Sequence, residues 1–192
     1  MSIKIDPKAD ALIVVDVQRD FCPGGALAVP EGDRVVPPIN RILEFQGWLT
    51  IATQDWHPKD HCSFKTQGGA WPIHCVAGTT GAMFHPGLDT TKLRQIISKA
   101  SAKEDEAYSG FQGTGLESLL RQQGIRRVCV CGLATDYCVK ATALDARKAG
   151  FEVIVLEDAI RGVEVKPGDC AKAVEEMKAA GIWFARTTDL MI

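Results

Sequence analysis

The sequence predicts an α/β fold of three layers, α/β/α, around a mainly parallel central sheet of about six strands. Three observations carry this. Short apolar runs such as Ala11-Leu12-Ile13-Val14-Val15 have no polar face, which suits strands buried on both sides as in parallel sheets. Segments with apolar residues at helical spacing lie between these runs, and strands alternating with helices require crossover connections. Four of the helical segments close on glycine, at Gly47, Gly124, Gly150 and Gly181, where a left-handed residue ends a helix at little cost.

The elements follow in order. Ala11 to Val15 is the first strand. Asp33 to Phe45 carries Val35, Val36, Ile39, Ile42 and Leu43 at helical spacing, with Pro37 and Pro38 marking where the regular helix begins. Leu49 to Thr53 is the second strand and Ile96 to Ser98 the core of the third. Gly115 to Gln123 is a helix. Arg127 to Cys131 is the fourth strand, followed by a helix over Asp136 to Ala149. Glu152 to Leu156 is the fifth strand, Asp169 to Ala180 a helix, and Ile182 to Ala185 a short sixth strand. No repeat or linker divides the chain, so residues 1–192 are expected to form one domain.

A net charge of −2 and the lack of a basic stretch argue against nucleic acid or an anionic membrane surface as partner. No apolar run approaches the roughly 20 residues that span a bilayer, and Met1 to Asp6 does not read as a signal peptide. Seven irregularly spaced cysteines, with no Cys-x-x-Cys pair, do not form a disulfide framework. A cytoplasmic, reducing setting is expected. Cys129 and Cys131, two apart on one strand, share a face and are read as core. Trp48 and Trp183 are open between core and an interface in a homo-oligomer.

Residues 55–93 are anomalous: rich in proline and glycine, with no clear long helix. Structureless loops of that length are uncommon and usually functional. All four histidines, His57, His61, His74 and His85, fall inside it. Asp55 and His57 lie two apart in extended chain and so point the same way. With His74 folding back, one carboxylate and two imidazoles suit zinc, iron(II) or manganese and leave positions open. His61 is left open as a fourth ligand, and His85, between Phe84 and Pro86, is read as structural. The competing reading is that these are loop histidines satisfied by backbone carbonyls.

The predicted strand ends carry chemistry. The first ends at Asp16, the second at Asp55 and His57, the third at Lys99, and the fourth leads to Cys138. Sites in open parallel sheets form beyond the carboxyl ends of strands. Cys138 falls in the first turn of its helix, where the dipole and unpaired amides favour thiolate. Singly, Asp16 could cap a turn, Lys99 could be a solvated surface residue and Cys138 could be packing; together they favour an enzyme.

With these residues assembled, the chain resembles the nicotinamidase branch of the isochorismatase-like cysteine hydrolases. The carriers are Val15-Asp16-Val17-Gln18-Arg19-Asp20-Phe21-Cys22-Pro23-Gly24-Gly25, Asp55-Trp56-His57-Pro58, Trp71-Pro72-Ile73-His74-Cys75-Val76, Tyr108-Ser109-Gly110-Phe111 and Gly132-Leu133-Ala134-Thr135-Asp136-Tyr137-Cys138. The resemblance implies a catalytic set of Asp16, Lys99 and Cys138, with Lys99 chosen over Lys103 by its place at a strand end. It implies one divalent metal on Asp55, His57 and His74, a cis peptide between Leu133 and Ala134, and an oxyanion hole from the N–H groups of Ala134 and Cys138. Phe21, Leu27, Trp71, Tyr108 and Ala134 would wall a flat ring. The implied reaction is hydrolysis of nicotinamide to nicotinate and ammonia through a thioester, in NAD salvage, with pyrazinamide as a related substrate. Rival readings are an amidase for another small amide, a non-catalytic metal-binding protein, and redox sensing through Cys22, Cys62 and Cys75.

Overall fold

The computed structural model describes residues 2–191. The strands are β1 (Ile3–Lys4), β2 (Asp10–Val15), β3 (Leu49–Asp55), β4 (Gln95–Lys99), β5 (Arg127–Leu133), β6 (Glu152–Arg161), β7 (Trp183–Ala185) and β8 (Leu190–Met191). The helices are α1 (Val36–Leu43), α2 (Leu116–Gln122), α3 (Lys140–Lys148) and α4 (Asp169–Ala179). Six strands form one sheet in the order β4-β3-β2-β5-β6-β7, every pair parallel. The chain builds outward from β2 through β3 to β4, then returns to the other side of β2. The order therefore reverses between β2 and β5, and a crevice forms there at the carboxyl edge.

The continuous apolar strands are buried on both faces, as their composition requires. Leu12, Val14, Cys129 and Cys131 pack into one core cluster with Ile39, Ile42 and Leu43 of α1. Ala11, Ile13, Val15, Val128 and Val130 pack into a second, with Leu116 and Leu120 of α2, Ala143 and Ala146 of α3, and Met177 of α4. Leu12 to Val15 are wholly buried, and each such side chain contributes roughly 1.5–3 kcal/mol relative to exposure. One face is thus covered by α1 and the long loops, the other by three helices. That is the three-layer α/β/α arrangement the sequence predicts.

The structure departs from the expected boundaries for identifiable reasons. The first helix is split: a 3₁₀ turn, Gly32–Val35, precedes α1, whose prolines sit in the first turn where their missing N–H is harmless. β6 runs on to Arg161, with a register shift opposite Val130 and Gly132. β1 and β8, two residues each, pair in parallel and bring the chain ends together; two residues are too few to show a period. Residues 56–94 hold only 3₁₀ turns as helix, at Lys65–Gln67, Thr80–Ala82 and Thr90–Lys92. Trp48 is buried, whereas Trp183 is 65 % exposed on β7. Among the described residues, no helix is long and apolar enough to cross a membrane.

Candidate active site

Register sets the site. Val15 at the end of β2 lies opposite Thr53 on one side and Gly132 on the other, and Asp55 lies opposite Lys99. The chain leaves these strands sharply: Asp16 and Ala100 both take positive φ, 47° and 49°, a region that costs a non-glycine residue roughly 1–2 kcal/mol. Gly132, at φ 109°, has no such cost, and a Cβ there would meet the Val15 carbonyl oxygen at 2.1 Å. The following Leu133–Ala134 peptide is cis.

Asp16, Lys99, Asp55 and Cys138 meet just beyond the strands, each at least nine-tenths buried. The Lys99 ammonium lies 3.0 Å from Asp16 Oδ2 and 3.5 Å from Cys138 Sγ, and donates to Asp55 Oδ1 and the Ala107 carbonyl oxygen. Thr53 Oγ1 donates to Asp16 Oδ1 at 2.7 Å. Ligand atoms of Asp16, Asp55 and Cys138 all fall within 4.8 Å of one another, but an ammonium is already among them, so this is an acid–base cluster. Lys103 takes no part: it is half-exposed and pairs with Asp60 at 3.1 Å.

Burial and neighbouring charge together set the direction in which each group shifts. Burial pushes Asp16 above its ordinary 3.8, against the pull of Lys99. Burial would raise Asp55 too, but the Lys99 ammonium holds its carboxyl well below the usual range. Burial would lower Lys99, yet Asp16 and Asp55 raise it well above 10.5. Burial pushes the Cys138 thiol well above 9.0, and Asp16 and Asp55 add to this against Lys99. This direction runs against the one drawn from a helix start. The reason is local: Cys138 lies in a π-helical turn, Thr135–Val139, before α3 begins, and burial of the sulfur is the largest influence on it.

A second cluster adjoins the first through Asp55. Ligand atoms of Asp55, His57 and His74 converge within 4.8 Å. His57 Nδ1 lies 3.1 Å from the Ala100 carbonyl oxygen and His74 Nδ1 2.8 Å from that of Pro72. A carbonyl only accepts, so both rings carry hydrogen on Nδ1 and a lone pair on Nε2. His57 Nε2 is buried without a hydrogen-bond partner, 3.5 Å from Asp55 Oδ2. Burial also pushes His74 below its ordinary 6.5. Two imidazoles with their Nδ1 atoms tied back to carbonyls, beside a carboxylate, fit a divalent metal. His61 is engaged differently: Nδ1 faces Ser63 Oγ at 2.8 Å and Nε2 the Asp105 carbonyl at 3.1 Å, with its ring stacked on His57. It does not join the converging set. His85 stands outside the site, with Nδ1 accepting from the Gly87 amide.

A cleft of about 500 Å³, counted to its mouth, joins the two clusters. Phe21, Leu27, Trp71, Tyr108 and Ala134 all line it, with Cys138, Asp55, His57 and His74. Trp71 Nε1 donates to Tyr108 OH at 3.0 Å, and burial pushes that phenol up to about 12. Sequence reasoning missed Tyr137 and Val163 as lining residues. Tyr137 packs edge-on against Trp71 at 5.0 Å; its place beside Cys138 was a usable signal. Val163 has none: its loop is held by Asp136, whose carboxylate accepts the Val163 and Glu164 amides at 2.9 and 2.8 Å. Gln18 supports the site from behind Asp55. Buried, it accepts from the Asp55 amide and donates to the Asp55 carbonyl, both at 2.8 Å, clamping that residue's backbone.

A buried thiol, an acid and an ammonium brought together at the switch point of a parallel sheet are groups suited to hydrolysis of an amide. Residues 10–189 match the isochorismatase domain family, and the chain belongs to it. The curated nicotinamidase of Escherichia coli strain K12 is 43 % identical over 89 % of this chain and 92 % of its own length. A solved L. infantum structure in complex with nicotinate is 40 % identical, covers 100 % of this chain and 99 % of its own, and superposes with TM-score 0.95. The pyrazinamidase of Pyrococcus horikoshii in complex with zinc is 54 % identical over 92 % of this chain and 98 % of its own, with TM-score 0.86.

Proposed function

We propose that this chain hydrolyses nicotinamide to nicotinate and ammonia, with Cys138 as nucleophile and one divalent ion, zinc, iron(II) or manganese, on Asp55, His57 and His74. The observation that carries the reading is one flat-walled cleft joining a buried thiol to a separate carboxylate–imidazole ligand set. The relatives named nicotinamidase and pyrazinamidase support it.

Asp16 accepts the Cys138 proton as sulfur adds to the amide carbon. Its raised pKa makes it a stronger base than a solvated carboxylate. Lys99, 3.5 Å from the sulfur, compensates the charge that develops there. The Ala134 and Cys138 N–H groups receive the oxyanion. Collapse breaks the C–N bond, Asp16 returns the proton to departing ammonia, and a thioester remains on Cys138. Water, deprotonated by Asp16, then releases nicotinate and regenerates the thiol. The metal, when bound, would supply an open coordination position for the pyridine nitrogen. Phe21 and Trp71 hold the ring flat, and orientation of this kind supplies much of a barrier reduction. Pyrazinamide has a ring nitrogen in the same relation to its carboxamide and is a second substrate. The product acid enters NAD salvage.

The test is ammonia release from nicotinamide by zinc-loaded protein. Stoichiometric nicotinate over many turnovers is expected. Confirmed zinc binding with no release would move the chain to another amide or to a non-catalytic role.

A further inference from the structure

The segment after β2 presents alternate side chains inward: Asp16 to the thiol, Gln18 to the Asp55 backbone, and Asp20 to a place the reaction does not use. Asp20 Oδ2 accepts the Cys75 amide at 2.7 Å and Oδ1 the Ala26 amide at 3.2 Å. Its carboxylate lies flat against Gly81, where a Cβ would come within 2.1 Å of Oδ2. Among the described residues its hydrogen-bond partners are backbone amides, not a cation.

The amide it holds is unusual. Cys75 is a wholly buried non-glycine residue at φ 44°, a conformation that a charge-assisted hydrogen bond can stabilise against its steric cost. The carbonyl of Cys75 accepts the His57 amide at 3.0 Å, and its chain neighbour is His74. Phe21, next to Asp20, packs on the His74 ring with centroids 5.6 Å apart. Cys75 thus links the backbones that carry the two imidazoles, and Asp20 holds its amide.

We infer that Asp20 is a positioning residue for the metal-ligand pair, acting through the left-handed backbone of Cys75 to bring His57 and His74 together. The inference rests on the ligand set of the proposed function. Asp20 touches neither substrate nor the thiol, so its loss leaves Lys99, Asp16 and Cys138 in place. Without it, Cys75 relaxes toward negative φ and His74 swings away from His57. Glycine at 75 takes positive φ readily, so it compensates for the missing carboxylate.

The test reads zinc, not turnover. Wild type, Asp20→Ala, Asp20→Asn, Cys75→Gly and the double variant Asp20→Ala/Cys75→Gly are purified with metal, stripped, and titrated with zinc against a competing chelator. Far-UV circular dichroism and Cys138 alkylation of the metal-free proteins monitor the fold and the thiol site. Expected is a zinc affinity lowered about 10–100-fold in Asp20→Ala, as for other residues that orient metal ligands. A smaller loss is expected in Asp20→Asn, which keeps one acceptor, and partial recovery in the double variant. Alkylation should stay within twofold of wild type throughout. Wild-type affinity in both Asp20 variants overturns the inference. So does a double variant no better than Asp20→Ala, or alkylation that changes in step with affinity. If Asp20→Ala does not fold, Asp20→Asn with and without Cys75→Gly decides by the same criteria. Wild-type protein that binds no zinc would overturn the ligand set itself, an outcome separate from these.

Discussion

The thiol half of the site and the metal half are built by different means. Asp16, Lys99 and Cys138 follow the ends of three strands, and register in the sheet places them. His57 and His74 lie on a long irregular loop, placed by side chains that bond backbone groups far away in sequence, such as Gln18 on Asp55 and Asp20 on Cys75. The first half is buried, densely charged and part of the fold. The second is a set of poised lone pairs that an ion would complete. Asp55 belongs to both, with Oδ1 on Lys99 and Oδ2 toward His57. Damage to the strand-built half should therefore appear in fold or chemistry, and damage to the loop-built half in metal affinity.

The largest expected effect is on chemistry alone. Cys138→Ala should lower kcat by about 10⁴-fold or more, as removal of a nucleophile does, while zinc titration stays near wild type. Parallel loss of zinc would break the division. His57→Ala should do the reverse: atomic absorption should find little bound metal, while Cys138 still alkylates at close to the metal-free wild-type rate. Full occupancy in that variant would reject the ligand set.

Lys99→Met should affect the fold itself. It leaves two buried carboxylates uncompensated, and breaking a buried ion pair this way costs about 3–5 kcal/mol, read as a lower urea midpoint. The pH sign is specific. Asp55 is depressed in the fold, so its contribution is present above pH 3.8, the unfolded value, and is lost as pH falls through the lower folded value. Lys99 is raised, so its contribution is fully present below pH 10.5 and is lost only as pH rises through the higher folded value. The Lys99→Met penalty should therefore be largest between these limits and shrink in strong acid. A penalty independent of pH would mean that packing, not charge, is what Lys99 supplies.

The smallest effect sharpens the role of Asp16. It must be ionised to take the thiol proton, and its pKa is raised, so the acid limb of kcat/KM should lie above pH 3.8. Thr53 donates a hydrogen bond that holds this pKa down. Thr53→Val should thus move the limb to higher pH with little change on the plateau. A shift to lower pH would remove Asp16 from the role of base.

The same contrast explains what could be read from sequence. The strand-built half was legible because apolar runs mark strands, and reactive residues at their ends must converge at one edge of a parallel sheet. His57 and His74, which converge with Asp55, were legible as part of a cluster of histidines in one loop. Their supports were not, because contacts such as Asp20 to Cys75 span 55 residues and leave no local pattern. The upward shift of the thiol was not legible, because a helix start is visible in sequence, whereas burial of the sulfur beside two carboxylates is a property of the packed site.

The most direct test compares nicotinamide with benzamide on the zinc-loaded protein. The two rings are nearly isosteric, and only nicotinamide can place a nitrogen on the metal. A kcat/KM for nicotinamide larger by about 10²-fold or more is expected on the proposal that the metal half orients the amide for the thiol half. Equal values for the two amides would contradict that coupling and leave the metal half without a part in turnover.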